Sequence, residues 1–311
     1  MKKMSIVLPA YNEGKNIPLS HQVIGDILTK NGINYELVYV NDGSSDNTWE
    51  EILKLQSENC IGINFSRNFG KEAAIEAGLN TATGDCVVVM DCDLQHSPEA
   101  LVEMYAKWEE GYEVVEGIKK NRGKEGLAYK IFAKTFYQLI SNAVGIDMKN
   151  SSDYKLLDRK VVDQLNELPE KNRFFRALSF WVGFRQTTVE YEILDRVEGE
   201  TKWSTKSLIK YAINNITSFS TVPLQIVTVI GIVYLLFAIV LGARVLTQYF
   251  LNQSLAGFPT MILLLLIIGS TMLIALGIIG LYIGKIYQEL KGRPNYIIKD
   301  KVSVRTNEET K

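Results

Sequence analysis

Two uninterrupted apolar runs decide most of what this 311-residue chain can become. "VPLQIVTVIGIVYLLFAIVLGA" (222–243) and "FPTMILLLLIIGSTMLIALGIIGLYIG" (258–284) each exceed the roughly 20 apolar residues that cross a bilayer core. From Tyr211 to Gly284 the only charged residue is Arg244, near the outer end of the first run, where it can snorkel to the interface. Two helices buried in a large soluble core would be the alternative, and runs of this length fit it poorly. Lysine and arginine placement sets the expected orientation. Lys202, Lys206 and Lys210 precede the first run; Lys285, Lys291, Arg293 and Lys299 follow the second; the connection "TQYFLNQSLAG" carries no charge. Both termini are therefore expected on the cytoplasmic side of an inner or plasma membrane, with a short outward hairpin.

The remainder reads as a soluble domain. The formal net charge is −1, which lacks the basic excess of a nucleic-acid binder. "MKKMSIVLPAYNEGKN" has an apolar run too short for a secretory signal, so this part is expected in the cytosol. Cys60, Cys86 and Cys92 have no metal-ligand spacing and read as reduced thiols.

Residues 1–120 alternate strand and helix. "MSIVLPA", "ELVYVND", "IGINFS" and "CVVVMD" are short apolar strands, separated by helical segments at 16–30, "SSDNTWEEILKL" and "KEAAIEAGLNTA". Strands apolar throughout are covered on both faces, which predicts an α/β fold with a mainly parallel sheet. Such sheets bind ligands beyond the carboxyl ends of their strands. "PAYNE", "NDGSSD", "SRNFG" and "DCDLQ" all fall there.

Asp91 and Asp93 stand one residue apart at that edge. In an extended segment both point the same way and repel unless a cation lies between them. Oxygen ligands without cysteine or a histidine pair favour Mg²⁺ or Mn²⁺, which complete their shell with substrate phosphates. His96 reads as a surface or helix-capping residue.

With these clusters together, the chain resembles the inverting family 2 glycosyltransferases of GT-A (Rossmann-like) fold. More closely, it is similar to the polyisoprenyl-phosphate type, which includes dolichol-phosphate mannose synthases and bactoprenol glucosyltransferases with two C-terminal transmembrane helices. "VLPAYNE", "VNDGSSDNT", "SRNFGKEAAIEAG", "DCDLQHSPE", "RFFRALSFWVGFRQ" and "GETKWS" carry the resemblance. It implies a nucleotide pocket lined by Pro9, Tyr11, Glu13 and Asp42, with Asp42 reading the base edge. Asp91, Asp93 and Gln95 would hold the metal against the donor diphosphate, and Arg122 would approach a phosphate. Asp153 matches the position of an aspartate proposed as the base; strand-end capping is the other reading. Where the family usually has alanine between the aspartates this chain has Cys92, which could make the site sensitive to thiol reagents.

A polyprenyl monophosphate acceptor is itself about −1.5 to −2 charged near neutral pH, so it needs positioning more than deprotonation. A carboxylate beside it requires a nearby cation, and Lys202 is the candidate, with Arg196 second. "YKIFAKTFYQLISNAVG" (129–145) and "TKSLIKYAINNITSF" have amphipathic spacing suited to a membrane interface, and "RFFRALSFWVGF" suits a boundary between bilayer and site. The expected organisation is a catalytic domain at 1–205, a juxtamembrane segment at 206–221, a hairpin at 222–286 that holds the catalytic mouth beside the headgroups, and a tail at 287–311. The resemblance favours glucose transfer from UDP-glucose to undecaprenyl phosphate. Glycosylation of another membrane lipid, or a nucleotide-binding subunit of a lipid-sugar flippase, stays open. Gly231, Gly269 and Gly280 would permit close helix contact in a homo-oligomer, up to a tetramer.

Overall fold

The computed structural model describes residues 2–55, 59–120, 151–171, 173–192, 221–251 and 257–303. The chain divides into two units, Met1–Thr205 with Arg293–Lys311, and Lys206–Gly292.

The first unit is built on one eight-stranded sheet. In chain order its strands are β1 (Lys3–Ala10), β2 (Asn34–Asn41), β3 (Cys60–Phe65), β4 (Cys86–Val89), β5 (Val114–Lys119), β6 (Lys155–Asp158), β7 (Gln186–Tyr191) and β8 (Ile298–Ser303). They lie in the order β7-β5-β6-β4-β1-β2-β3-β8. β1 pairs in parallel with β2 and β4, β2 with β3, and β5 with β7; β6 and β8 run against their neighbours. The helices are α1 (Asn16–Lys30), α2 (Thr48–Lys54), α3 (Lys71–Thr81), α4 (Ala100–Glu109), α5 (Arg159–Glu167) and α6 (Phe175–Trp181).

The apolar strands behave as their composition requires. Met4, Ile6 and Leu8 on one face of β1, and Val7 on the other, are all fully buried, as are Cys86, Val87, Val88 and Val89 of β4. Register brings the functional loops level: Ala10 pairs with Asn41, and Asn41 with Asn64, so three strands end together. β4 joins them through Val89 opposite Val7, which carries the aspartate pair up beside Pro9. Helix α3 lies close against this edge because Gly78 faces the sheet; a Cβ there would fall 2.2 Å from Val7 Cγ1.

The tail contributes structure that the strand pattern of residues 1–120 does not announce. β8 caps β3 in antiparallel register, and Asp300 Oδ2 accepts a hydrogen bond from Asn64 Nδ2 at 2.9 Å. Just before it, Tyr296 stacks on Phe65 with ring centroids 5.1 Å apart, and Asn295 donates to Glu76 at 2.7 Å. As the edge strand of the sheet, β8 carries Lys299, Asp300 and Lys301, charges of the kind that discourage further pairing.

The second unit contains α7 (Val222–Phe250) and α8 (Phe258–Leu290), which meet at a Tyr234–Thr271 hydroxyl contact of 3.0 Å. Within them, Val222–Arg244 and Leu264–Leu290 are long and apolar enough to cross a membrane, with mean hydropathies of 2.8 and 2.6. Their apolar side chains are outward: Leu236, Leu266 and Leu273 are 58%, 66% and 71% exposed.

Candidate active site

The loop after β1 turns sharply, with Asn12 in the left-handed region at φ 57°. That turn is fixed by the loop after β2: Asn12 N–H donates to Ser44 Oγ, Ser45 N–H to Asn12 Oδ1, and Glu13 N–H to Thr48 Oγ1, all at 2.9 Å. Tyr11 stands half exposed at the rim, and Glu13 accepts from Asn16 Nδ2 at 2.6 Å. Asp42 is buried; its two oxygens accept the N–H groups of Phe69 at 2.6 Å and Gly70 at 2.9 Å, tying the loop after β3 to that after β2. Burial pushes its pKa above the ordinary carboxylate value. Each oxygen keeps a further lone pair for a ligand.

After β4 the chain alternates. Cys92, Leu94 and His96 are buried and Asp91, Asp93 and Gln95 half-buried, but the chain turns here instead of forming the extended segment that the i, i+2 spacing predicts. The turn is closed by Gln95 N–H on Asp93 Oδ1 at 3.1 Å, with Leu94 at φ 55°, a strained value for a side chain of that size. Three oxygen-bearing side chains within one short turn suit a hard divalent cation, which needs only one or two protein carboxylates when phosphates supply the rest. Among the described residues no three His, Cys, Asp or Glu side chains form a closed metal cage.

Two expectations for this segment are corrected. His96 is neither a surface residue nor a helix cap: it is buried, stacked on Tyr154 at 4.9 Å, and its Nδ1 accepts the Asp91 N–H at 3.3 Å. Burial lowers its pKa, so the ring is neutral and steadies the end of β4. Cys92 is buried with Sγ 3.4 Å from the Pro9 carbonyl; burial, with Glu13 and the adjacent aspartates, holds its thiol far above the ordinary range, where it resists thiol reagents.

Among the described residues, α3 and α6 supply cations to Asp91 and Asp153. Lys71 Nζ lies 2.6 Å from Asp91 Oδ1 and 2.9 Å from Asp153 Oδ2. Arg176 closes a two-pronged pair on Asp153, Nε to Oδ1 at 2.7 Å and Nη2 to Oδ2 at 2.9 Å. Burial alone would raise the Asp153 pKa, but Arg176 and Lys71 outweigh it and hold the carboxyl well below its ordinary range. Held in this way Asp153 is a weak proton acceptor. Burial would likewise lower the Lys71 pKa, and Asp153 and Asp91 reverse that. With its side chain 41% exposed, Lys71 is reachable by a ligand. Arg122, Lys202 and Arg196 lie outside the described residues, as do 129–145 and 205–219. "RFFRALSFWVGF" is mostly core: Phe174, Phe175 and Phe180 are buried, and Trp181 is exposed.

The model of glycosyl transferase family 2 matches residues 5–165. The chain belongs to this family. YkcC, an uncharacterized glycosyltransferase of Bacillus subtilis strain 168, is 41% identical over 303 residues, covering 95% of this chain and 93% of the relative. The bactoprenol glucosyl transferase of Shigella phage SfX is 35% identical over 304 residues, covering 96% and 99%. Among solved structures, glucosyl-3-phosphoglycerate synthase of Mycobacterium tuberculosis with Mn²⁺, uridine diphosphate and phosphoglyceric acid superposes with a TM-score of 0.51 at 17% identity, over 70% of this chain and 76% of that one. That likeness establishes the GT-A type of fold.

Around the site this glycosyltransferase holds further charges. Lys155 is fully buried, 3.3 Å from Glu116 Oε1, donating to Ser179 Oγ at 2.9 Å and lying 3.7 Å above the Phe180 ring. Burial pulls its pKa down to about 8. Glu116 also accepts the Ser152 N–H at 2.8 Å, so this pair fixes the strand end from which Asp153 projects. Next to Lys71, Glu72 accepts the Phe175 N–H at 2.9 Å; burial and the Asp153 charge push its pKa up to about 7 from an ordinary 4.5. Between those values the folded chain keeps a proton that the unfolded chain has released, so stability falls as pH rises through this window. Glu72→Gln cannot lose that proton. Its melting temperature is expected to match wild type near pH 4.5 and exceed it by on the order of 5 °C at pH 8. Parallel melting curves across pH would contradict the assignment.

Proposed function

We propose that this glycosyltransferase transfers a sugar, with inversion, from a nucleotide-sugar to a polyprenyl phosphate at the cytosolic membrane face, with UDP-glucose and undecaprenyl phosphate the favoured pair. The observation that carries the reading is the Asp91–Lys71–Asp153–Arg176 cluster beside the aspartate turn. A donor diphosphate and a phosphate acceptor bring several negative charges together, and only a site with matched cations tolerates them. Near-full-length similarity to a bactoprenol glucosyl transferase supports the acceptor class.

Pro9, Tyr11, Glu13 and Asp42 form the nucleotide side of the site in this reading. A Mg²⁺ or Mn²⁺ held by Asp91, Asp93 and Gln95 would stabilise charge developing on the departing diphosphate. Lys71 and Arg176 offer the acceptor phosphate two donors of fixed orientation, and Arg122 and Lys202 add to the phosphate contacts. Because that acceptor is already anionic, Asp153 serves best by orienting Lys71 and Arg176 rather than by removing a proton.

The outward apolar faces of α7 and α8 support a bilayer as their surroundings. The chain leaves the first unit before Val222 and re-enters its sheet at β8, so a membrane would be crossed an even number of times. This supports two spans whose flanking segments share one side of the membrane, the cytoplasmic side in this reading. Gly231, Gly269 and Gly280 have open space where a side chain would stand, which suits packing of a second copy in a homo-oligomer.

The test is turnover by the purified full chain in detergent, with Mg²⁺ or Mn²⁺, labelled nucleotide-sugars and undecaprenyl phosphate. Labelled sugar should move into the organic phase as a lipid-phosphate product, fastest with UDP-glucose. Failure with every UDP- and GDP-sugar would overturn the proposal.

A further inference from the structure

Four side-chain polar atoms among the described residues are buried without a hydrogen-bond partner: His21 Nδ1, Ser151 Oγ, Asn166 Oδ1 and the Tyr191 hydroxyl. His21 and Asn166 belong to helices α1 and α5. Ser151 and Tyr191 lie instead towards the ligand edge, and Tyr191 is the one whose ring packs on His96 of the aspartate loop. It is the last residue of β7, which runs parallel to β5 with Lys119 opposite Tyr191, so it ends at the same edge as the functional loops. Only 3% of the residue is exposed. Its ring is wedged edge-on against Tyr154 at 5.3 Å and His96 at 5.8 Å, and His96 in turn receives the Asp91 N–H. The carbonyl of Tyr191 accepts the Lys120 N–H at 2.9 Å, so the backbone is pinned as well as the ring.

A buried hydroxyl without a partner forfeits a hydrogen bond that water would have supplied, and native proteins carry few such groups. Here the ring cannot turn away, since aromatic neighbours hold it on two sides. A tyrosine phenol is an O–H donor at neutral pH, and the His96 ring that Tyr191 packs against belongs to the loop that carries Asp91 and Asp93. The Tyr191 hydroxyl is therefore an O–H donor, fixed beside the aspartate turn and lacking an acceptor.

We propose that Tyr191 is a donor-binding residue whose phenol O–H hydrogen-bonds an oxygen of the sugar-diphosphate held at Asp91 and Asp93. The assignment rests on the proposed function, which supplies the missing acceptor. That oxygen belongs either to the diphosphate or to a sugar hydroxyl, and the two differ in what the bare nucleotide reports.

Tyr191→Phe removes one oxygen and leaves the ring packing intact. Calorimetric titration of the full-length chain in detergent, with Mn²⁺, compares wild type, Tyr191→Phe and Asp93→Asn against UDP-glucose and UDP. Tyr191→Phe is expected to bind UDP-glucose about 10- to 100-fold more weakly, the loss of one hydrogen bond to a polar or charged acceptor. Its ligand-free melting temperature should stay equal to wild type or rise, because an unsatisfied hydroxyl has gone. Equal weakening of UDP places the acceptor on the diphosphate, and weakening of UDP-glucose alone places it on the sugar; both uphold the assignment. Wild-type affinity in Tyr191→Phe, with Asp93→Asn impaired, overturns the assignment while leaving the donor site standing. A wild-type chain that binds neither ligand overturns the donor reading, and this assignment falls with it.

Discussion

Asp93→Asn is expected to lower turnover at least about 100-fold while the protein remains folded, with a melting temperature within about 2 °C of wild type. The substitution keeps the shape of the side chain and an oxygen to accept the Gln95 N–H, now 3.1 Å from Asp93 Oδ1, so the turn survives. What it removes is a negative charge on the half-buried side of that turn. Asp91 is a less informative target, since its carboxylate also holds Lys71 at 2.6 Å and its loss would release a cation as well as a ligand. The prediction has two readouts. Chelation with EDTA should stop wild-type turnover, and added Mn²⁺ or Mg²⁺ should restore it. Mn²⁺ binding in the presence of UDP, followed by electron paramagnetic resonance, should weaken in Asp93→Asn. Turnover within twofold of wild type, in EDTA or in the variant, would remove the metal from the proposed function.

Why the position of Asp91 was legible and its cations were not follows from the range of the interactions. The strand leading to Asp91 is apolar throughout, so the sequence places Asp91 at the sheet's edge, but beyond it the chain turns, with Leu94 at φ 55°, and the alternation of an extended segment no longer orders the side chains. Lys71 and Arg176 meet Asp153 across 82 and 23 residues of sequence, through the packing of α3 and α6, which no local period encodes. A signal for Lys71 was nonetheless present. It is the first residue of α3, where the helix dipole disfavours a positive charge, and so tolerable chiefly if carboxylates lie ahead of it. A polar ring in a loop normally faces water, but Tyr154, just before β6, and Tyr191 of β7, both far along the chain, enclose His96 instead. The last strand, β8, was hidden for another reason. Its "IKDKVS" has the charged composition of an exposed edge, which resembles a solvated tail until β3 is placed beside it.

Replacing Arg176 by Met should damage stability and chemistry together, and the two effects are separable. Asp153 is buried, and Arg176 satisfies both of its oxygens; without that fork the carboxylate keeps Lys71 alone. Breaking one partner of a buried pair costs about 3–5 kcal/mol, and the partial exposure of Arg176 argues for the lower end, or roughly 6–12 °C in melting temperature. Turnover should fall about 100-fold, because the acceptor phosphate loses an oriented guanidinium. Adding Asp153→Asn to Arg176→Met removes the stranded charge, so the double variant should regain most of the melting temperature and none of the turnover. A base role for Asp153 predicts a different pattern: Asp153→Asn alone would stop the reaction, and wild-type turnover would fall on an acidic limb as Asp153 is protonated, with Arg176 mattering only for stability. Measuring the melting temperature and kcat of the three variants across pH decides between orientation and proton transfer. An Arg176→Met enzyme that turns over normally at a temperature where it stays folded would exclude the phosphate contact proposed for this arginine.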